Sequence, residues 1–213
     1  MKDVDFMEQI LDGKKVAVLV ETEYIPAEID FYQNFFAKYG AKVDLMTYLW
    51  GKSERVIVSD IDNETKSLEK ITITKEIAQA NPNEYSIVLC AANYVACRLR
   101  EIPPMGSLAN PNLVRSPAAV RFMASAMMNP DIVKGALCHA LWLLTPTPEL
   151  LKNRKVICHT VVLADVLNAG AIYIPDESHV VVDKDLVTAR SVADLEVYGK
   201  ALMDTYINLN KLK

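Results

Sequence analysis

Residues 131–147 constrain the fold more than any other stretch of the chain. Ile132–Leu137 is a short apolar run that passes through the small pair Gly135-Ala136 and stops at Cys138-His139. An apolar helical pattern opens at Ala140. A buried strand that turns sharply into a helix leaves one side chain exposed at the carboxyl end of a sheet, the layout of a nucleophile elbow. Here that side chain is a thiol. At a helix N-terminus, unpaired N–H groups and the positive end of the dipole favour thiolate. The competing reading makes Cys138 one more core residue, because free cysteine is among the most buried residue types.

The rest of the chain predicts a setting for such an elbow. Lys15–Val20 is a Val-rich run of the kind that fills a central parallel strand. Pro26 opens a helical pattern through Ile29, Tyr32, Phe35 and Phe36, closed by Gly40. Lys42–Met46 and Tyr85–Cys90 read as further strands. Two alternating runs between Arg55 and Thr74 flank a polar turn at Asn63-Glu64 and predict a β-hairpin. Residues 2–12 predict a short amphipathic helix ending at Gly13, an extension ahead of the main fold. Pro103, Pro104, Gly106 and Pro111 mark a long connection before a helix at Ala118–Met127. Lys155–Cys158 predicts a short strand, Val161–Asn168 a helix, and His179–Val182 with Leu186–Thr188 an antiparallel pair. Ser191 caps a last helix running towards Leu209. Alternating strands and helices predict a three-layer α/β sandwich on a mostly parallel sheet, with residues 1–213 as one domain.

Composition narrows the function classes. Among 213 residues, 23 are Lys or Arg and 27 are Asp or Glu, a net charge of −4. The basic residues are scattered, which argues against nucleic acid as a partner. No apolar run reaches the length of a membrane span, and the acidic, polar start is unlike a signal peptide. Four cysteines without framework spacing predict free thiols in a reducing cytoplasm. With seven glycines and neither dinucleotide nor P-loop fingerprints, no nucleotide cofactor is expected. His139, His159 and His179 do not fall into a zinc spacing with the cysteines, so no metal is expected.

Several spaced segments, in one order, resemble the ThiJ/PfpI superfamily, whose fold is like that of class I glutamine amidotransferases. They are Lys15–Val20 followed by Glu28; Asn93–Arg100 after a strand; Ala136-Leu137-Cys138-His139; Leu151–Val156; Asp165–Gly170; and Val180–Asp183 followed by Leu186–Arg190. The resemblance implies that Cys138 is the nucleophile or redox centre. It implies that Glu28, usually protonated in the family, donates a hydrogen bond that favours thiolate; Glu21 and Glu23 compete for that role. A carboxyl pressed into an apolar pocket has its pKa raised, which suits a donor. His139 matches a Cys-His pair that serves as general base or orients the thiolate, although a half-exposed structural histidine fits as well. Cys158-His159 repeats the pair without an elbow before it, so Cys158 reads as core and His159 as a pocket-wall residue. Asn93 joins His159 as a candidate substrate-binding residue.

Departures from the pattern shape the functional expectation. Where the family commonly has Pro-Gly-Gly, this chain has Ala91-Ala92-Asn93. Alanine does not readily adopt positive φ, so a reshaped oxyanion hole is expected, and losing one donor costs about 10²–10³ in rate. Cys97 replaces an acid that protease-like members present before the arginine, so peptidase activity is not expected. Two readings follow. One is a cysteine-dependent hydrolase, lyase or deglycase acting on a small carbonyl or amide substrate. The other is a non-enzymatic stress or redox protein whose elbow cysteine is oxidised to sulfinate. The family's habit, together with an apolar, Met-rich patch expected at Phe122, Met123, Met127 and Met128, implies a homodimer.

Overall fold

In the computed structural model, which describes residues 9–60, 68–100 and 117–211, the apolar runs form a six-stranded sheet flanked by helices. Its strands are β1 (Lys15–Leu19), β2 (Lys42–Met46), β5 (Ile87–Cys90), β6 (Val133–Leu137), β9 (Val180–Asp183) and β10 (Leu186–Ala189), in the order β2-β1-β5-β6-β10-β9. All neighbours are parallel except β9, which runs against β10. β5 and β6 are buried at every residue, because helices cover both faces of a parallel sheet and nothing polar is needed on either. β3 (Arg55–Val58) and β4 (Lys70–Ile73) form the expected hairpin, and its turn lies outside the described residues. The Pro103–Pro111 connection and most of the span expected to form an amino-terminal helix, residues 2–12, lie outside them too.

Register decides where chemistry can occur. Leu19 pairs with Cys90, Cys90 with Ala136, and Leu137 with Ala189. The carboxyl ends of four neighbouring strands therefore fall level, and the residues that follow them share one edge. The chain moves outward from β1 to β2 and then returns to β1's other side as β5. That reversal is the topological switch where open α/β sheets bind ligands.

Helix α1 (Pro26–Ala37) begins at this switch, with Pro26 at its first turn, where a missing N–H costs nothing. It packs beside α5 (Leu195–Lys211) through Tyr32 and Tyr198, whose ring centroids are 6.4 Å apart. Gly135, in the middle of β6, faces this pair. A Cβ there would overlap Tyr198 Oη and Leu89 Cδ2, so the helix lies this close only over glycine. The short α2 (Val95–Leu99), α3 (Ala118–Met128) and α4 (Leu163–Asn168) complete the α-helices among the described residues. Ser191 and Asp194 form a capping box ahead of α5.

Three expectations are corrected. The strand at Lys155–Cys158 shrinks to β7 (Lys155–Val156), which pairs with a strand the periodicity did not show, β8 (Ile172–Tyr173). Two residues are too few to display a period. Phe122, Met123 and Met127 are buried in the core and only Met128 is exposed, so that stretch is not an apolar surface patch. The segment after Cys138-His139 is a four-residue 3₁₀ turn, Ala140–Leu143, rather than a helix. Pro146 and Pro148 supply no N–H, and each pushes the residue before it out of the helical region.

At the opposite, amino-terminal end of β6, Lys134 is fully buried and donates to Asn129 O at 2.9 Å and to the Asp185 carboxylate. Arg154 ties the same Asp185 at 2.7 Å and Asp183 at 2.6 Å. This network joins β6, the β9–β10 turn and the lead into β7. Removing one partner of a buried ion pair leaves a charge without compensation, which costs about 3–5 kcal/mol. Asp185→Ala is therefore expected to lower unfolding free energy in urea by that amount, and Lys134→Met in the same background to recover part of it. An unchanged midpoint for Asp185→Ala would show that the network is not holding this end of the sheet.

Candidate active site

Cys138 sits one residue beyond the end of β6 with φ of 61°, in the left-handed region that most side chains avoid. Two backbone bonds hold it there. Its N–H donates to Ala189 O at 2.9 Å, and its carbonyl accepts from His159 N at 3.1 Å. The elbow is real, but the 3₁₀ turn beyond it offers no long helix dipole. Thiolate is favoured instead by two local groups, the backbone N–H of Asn93 and the backbone N–H of His139. Against them stand burial, the charge of Glu28 and, more weakly, that of Asp194. Burial is the largest influence, and the thiol is pushed up to about 11. The depressed pKa expected of a cysteine at a helix N-terminus is not what the site produces.

Asn93 supplies one of those amides through a feature the Ala91-Ala92-Asn93 reading missed. Asn93 itself takes the positive φ, 62°. After glycine, asparagine tolerates this conformation best. The positive φ that the glycines would have supplied is therefore present after all, one residue later. The two alanines before Asn93 are fully buried and need no special conformation.

Glu28 lies in the first turn of α1 with no exposed surface. Its carboxylate accepts from Tyr32 Oη at 2.7 Å, and from Ala92 N at 3.0 Å on one oxygen and 2.9 Å on the other. Burial outweighs these bonds and raises its pKa to about 7. The competitors are occupied elsewhere. Glu21 is gripped by Arg55 at 2.6 and 2.8 Å, and Glu23 by Arg98 at 2.7 Å. One implied relation is corrected: no hydrogen bond links Glu28 to the Cys138 thiol. The carboxyl spends its acceptors on Tyr32 and Ala92, and acts on Cys138 as a nearby charge.

The imidazoles flank the elbow. The His139 ring is nearly buried among Tyr94, Trp142 and His159, with centroids at 5.4, 5.3 and 4.9 Å. Its Nδ1 is buried without a hydrogen-bond partner. Burial lowers its pKa, the charge of His159 lowers it further, and the Asn93 backbone pulls the other way. A neutral ring results at physiological pH. His159 Nδ1 accepts from Val161 N at 3.2 Å, which leaves its proton on Nε2. Cys158 is buried, its thiol pushed up to about 12 by burial and by Cys138. Periodicity did not flag Tyr94, half exposed, or Trp142, whose Nε1 donates to Asp165 at 2.6 Å. Tyr94 and Trp142 stand four and five residues past the ends of β5 and β6, and that recurrence was the available signal. Among the described residues no group of three or more His, Cys, Asp or Glu side chains could hold a metal ion, and no helix is long and apolar enough to cross a membrane.

Two pH responses follow. Cys138 alkylation by iodoacetamide is expected to climb about tenfold per pH unit through neutrality, with no plateau below about pH 10. Glu28→Gln removes a charge that opposes thiolate, so it is expected to speed alkylation a few-fold at pH 8. Slower alkylation in that variant would instead make Glu28 a hydrogen-bond donor to the thiolate. The raised Glu28 pKa also bears on stability. The folded protein holds this proton more tightly than the unfolded chain, so stability is full below the ordinary 4.5 and is lost as pH rises to about 7. That loss, relative to Glu28→Gln, is about 3 kcal/mol, read from urea unfolding at the two ends of this range.

Residues 103–205 match the family model described as the DJ-1/PfpI family. The chain is 27% identical over 189 residues to a protein of Escherichia coli named protein/nucleic acid deglycase 2, covering 88% of this chain and 95% of that one. Among solved structures, a two-domain protein of Anabaena variabilis with DJ-1/ThiJ/PfpI-like and ferritin-like domains superposes with a TM-score of 0.73 at 22% identity. The match covers 90% of this chain but 47% of that one, so the chain spans about half of that protein. Schizosaccharomyces pombe DJ-1 superposes with a TM-score of 0.66 at 16% identity, covering 92% and 97%. These structures share the flavodoxin-like fold.

Proposed function

Because residues 103–205 match the DJ-1/PfpI family model, we propose that this chain is a deglycase-like or lyase-like enzyme in which Cys138 adds to a small carbonyl substrate. The observation that carries this reading is the placement of Cys138 and Asn93, both at positive φ, just past the level ends of the neighbouring strands β6 and β5, where the backbone amides of Asn93 and His139 favour the Cys138 thiolate. Donors that favour a thiolate before reaction are placed to receive an oxyanion after it. The 27% identical relative named a deglycase supports the same chemistry.

In the proposed first step the sulfur forms a bond to the carbonyl carbon. The thiol proton passes to a neutral imidazole, His139 being the nearest in sequence. The carbonyl π pair moves onto oxygen, which is received by the two amides. A thiol held at about 11 is mostly protonated at neutral pH, so removing its proton during attack is where a base contributes. The redox alternative gains nothing from such a thiol, since oxidation follows thiolate character. The net charge of −4 favours a small substrate over a polyanion. The proposal extends to residues 1–213 as one domain, to a cytoplasmic setting and, following the family's habit, to a homodimer, which sedimentation velocity would detect.

Small α-oxoaldehydes and their adducts with amines are the substrates to assay first, because an aldehyde needs one nucleophile and one proton acceptor but no leaving group. Cys138→Ser is expected to abolish turnover of glyoxal-type substrates, whereas Cys97→Ser keeps most of it. Casein hydrolysis is expected to be weak or absent. Equal glyoxal turnover by the wild type and Cys138→Ser would remove the proposal.

A further inference from the structure

The left-handed turn at Asn93 is held by groups from two distant parts of the chain. Its side-chain Nδ2 donates to Glu23 O at 3.0 Å and to the Asp60 carboxylate. Both amide hydrogens are thereby used, which fixes which way the side chain faces. Asn93 is 7% exposed, so water does not compete freely for these bonds. The acceptors are themselves fixed. Asp60 N donates to Tyr24 O at 2.9 Å, and Glu23 N donates to Val58 O at 2.8 Å. A bridge joins Tyr24 to Ser59, next to Asp60. The end of the β3 strand and the loop after β1 therefore form one clamp around the Asn93 side chain. That same residue lies just past the end of β5, level with the end of β6 that carries Cys138, and its backbone amide is one of the two that favour the Cys138 thiolate.

We propose that Asp60 is a positioning residue for the Cys138 site, acting through the Asn93 side chain to keep the Asn93 N–H aimed at the sulfur. A glycine at this position would adopt the same φ freely and would wander from it just as freely. Asparagine adds a side chain that can be anchored, and Asp60 is the anchor. The hairpin, an excursion from the sheet in sequence, thus contributes to the site without touching the thiol. The inference rests on the reading of Cys138 as the reacting thiol. Its test reads the thiol directly, so it succeeds or fails independently of any turnover assay.

Charge and position give opposite signs here. The groups that bear on the thiol are the Glu28 and Asp194 charges and the Asn93 and His139 amides, with Cys158 packed alongside. If Asp60 acted as one more negative charge, removing it would lower the thiol pKa and speed alkylation. If it positions an amide, removing it weakens a hydrogen bond to the thiolate, raises the thiol pKa and slows alkylation. Loss of one such bond shifts a pKa by a unit or so, hence about tenfold in rate at fixed pH.

The experiment is the pH profile of Cys138 alkylation by iodoacetamide, followed by mass spectrometry, in the full chain. Asp60→Ala is expected to slow it about tenfold near pH 8. Asp60→Asn, which keeps an oxygen acceptor, is expected to stay within about twofold of wild type. Asn93→Gly permits the same backbone conformation without strain but removes the anchored amide that holds it, so it is expected to match Asp60→Ala. The double variant is expected to be no slower than either single one, because both break the same contact. Alkylation of folded Asp60→Ala at or above the wild-type rate, or additive slowing in the double variant, would overturn the proposal. Should Asp60→Ala lose its fold, Asn93→Gly with Asp60→Asn carries the test. A slowed Asn93→Gly beside a wild-type-like Asp60→Asn supports it, and a wild-type rate in Asn93→Gly overturns it.

Discussion

The structure of the site depends on two non-glycine residues held at positive φ on neighbouring strand ends, Cys138 at 61° and Asn93 at 62°. Each conformation costs roughly 1–2 kcal/mol in a side-chain-bearing residue. Such strain persists only where the surroundings over-determine it. At Cys138 they do so through backbone bonds to Ala189 and His159, and at Asn93 through side-chain bonds to Glu23 and Asp60. The level register of β1, β5, β6 and β10 brings these constraints to one edge. Without it, the two turns would present their amides to different places.

The electrostatics of this edge are a balance rather than a single activating influence. Burial pushes the Cys138 thiol up and the Glu28 carboxyl up, for the same reason: each charged form loses water. Ionised Glu28 then works against the thiolate, while two amides work for it. Because Glu28 titrates at about 7, its opposition to thiolate grows as pH passes through neutrality. A thiol so placed is protonated at rest, and in the mechanism proposed above an imidazole takes its proton during attack. His139, neutral and with an unpartnered Nδ1, has the protonation state that role requires.

The parts of this arrangement that were legible in the sequence are those written as local periodicity. Lys15–Leu19, Ile87–Cys90 and Val133–Leu137 announce a buried parallel sheet because both faces are covered. Gly135-Ala136 before Cys138 reflects the close approach of Tyr198. Pro26 and Ser191 mark helix starts through the N–H groups they lack or satisfy. What was not legible depends on residues far apart in the chain. The pairing of β7 with β8 involves two residues on each side. Glu28's bond to Ala92, 64 residues away, is set by where α1 begins beside the end of β5, whereas Tyr32 stands one helical turn on. The 3₁₀ turn after the elbow could have been foreseen from Pro146 and Pro148, whose restraint outweighs the apolar helical pattern before them. Family likeness pointed to an oxyanion hole impaired at Ala91-Ala92, and the chain instead places the strain one residue later, on the side chain best suited to bear it.

The most direct measurement is a crystal structure of the protein after brief exposure to a small α-oxoaldehyde. The account expects a hemithioacetal on Cys138 with its oxygen within hydrogen-bond distance of both the Asn93 and His139 N–H groups, Asn93 still in the left-handed conformation. An adduct oxygen turned away from both amides, or reaction at Cys97 with Cys138 left unmodified, would contradict it.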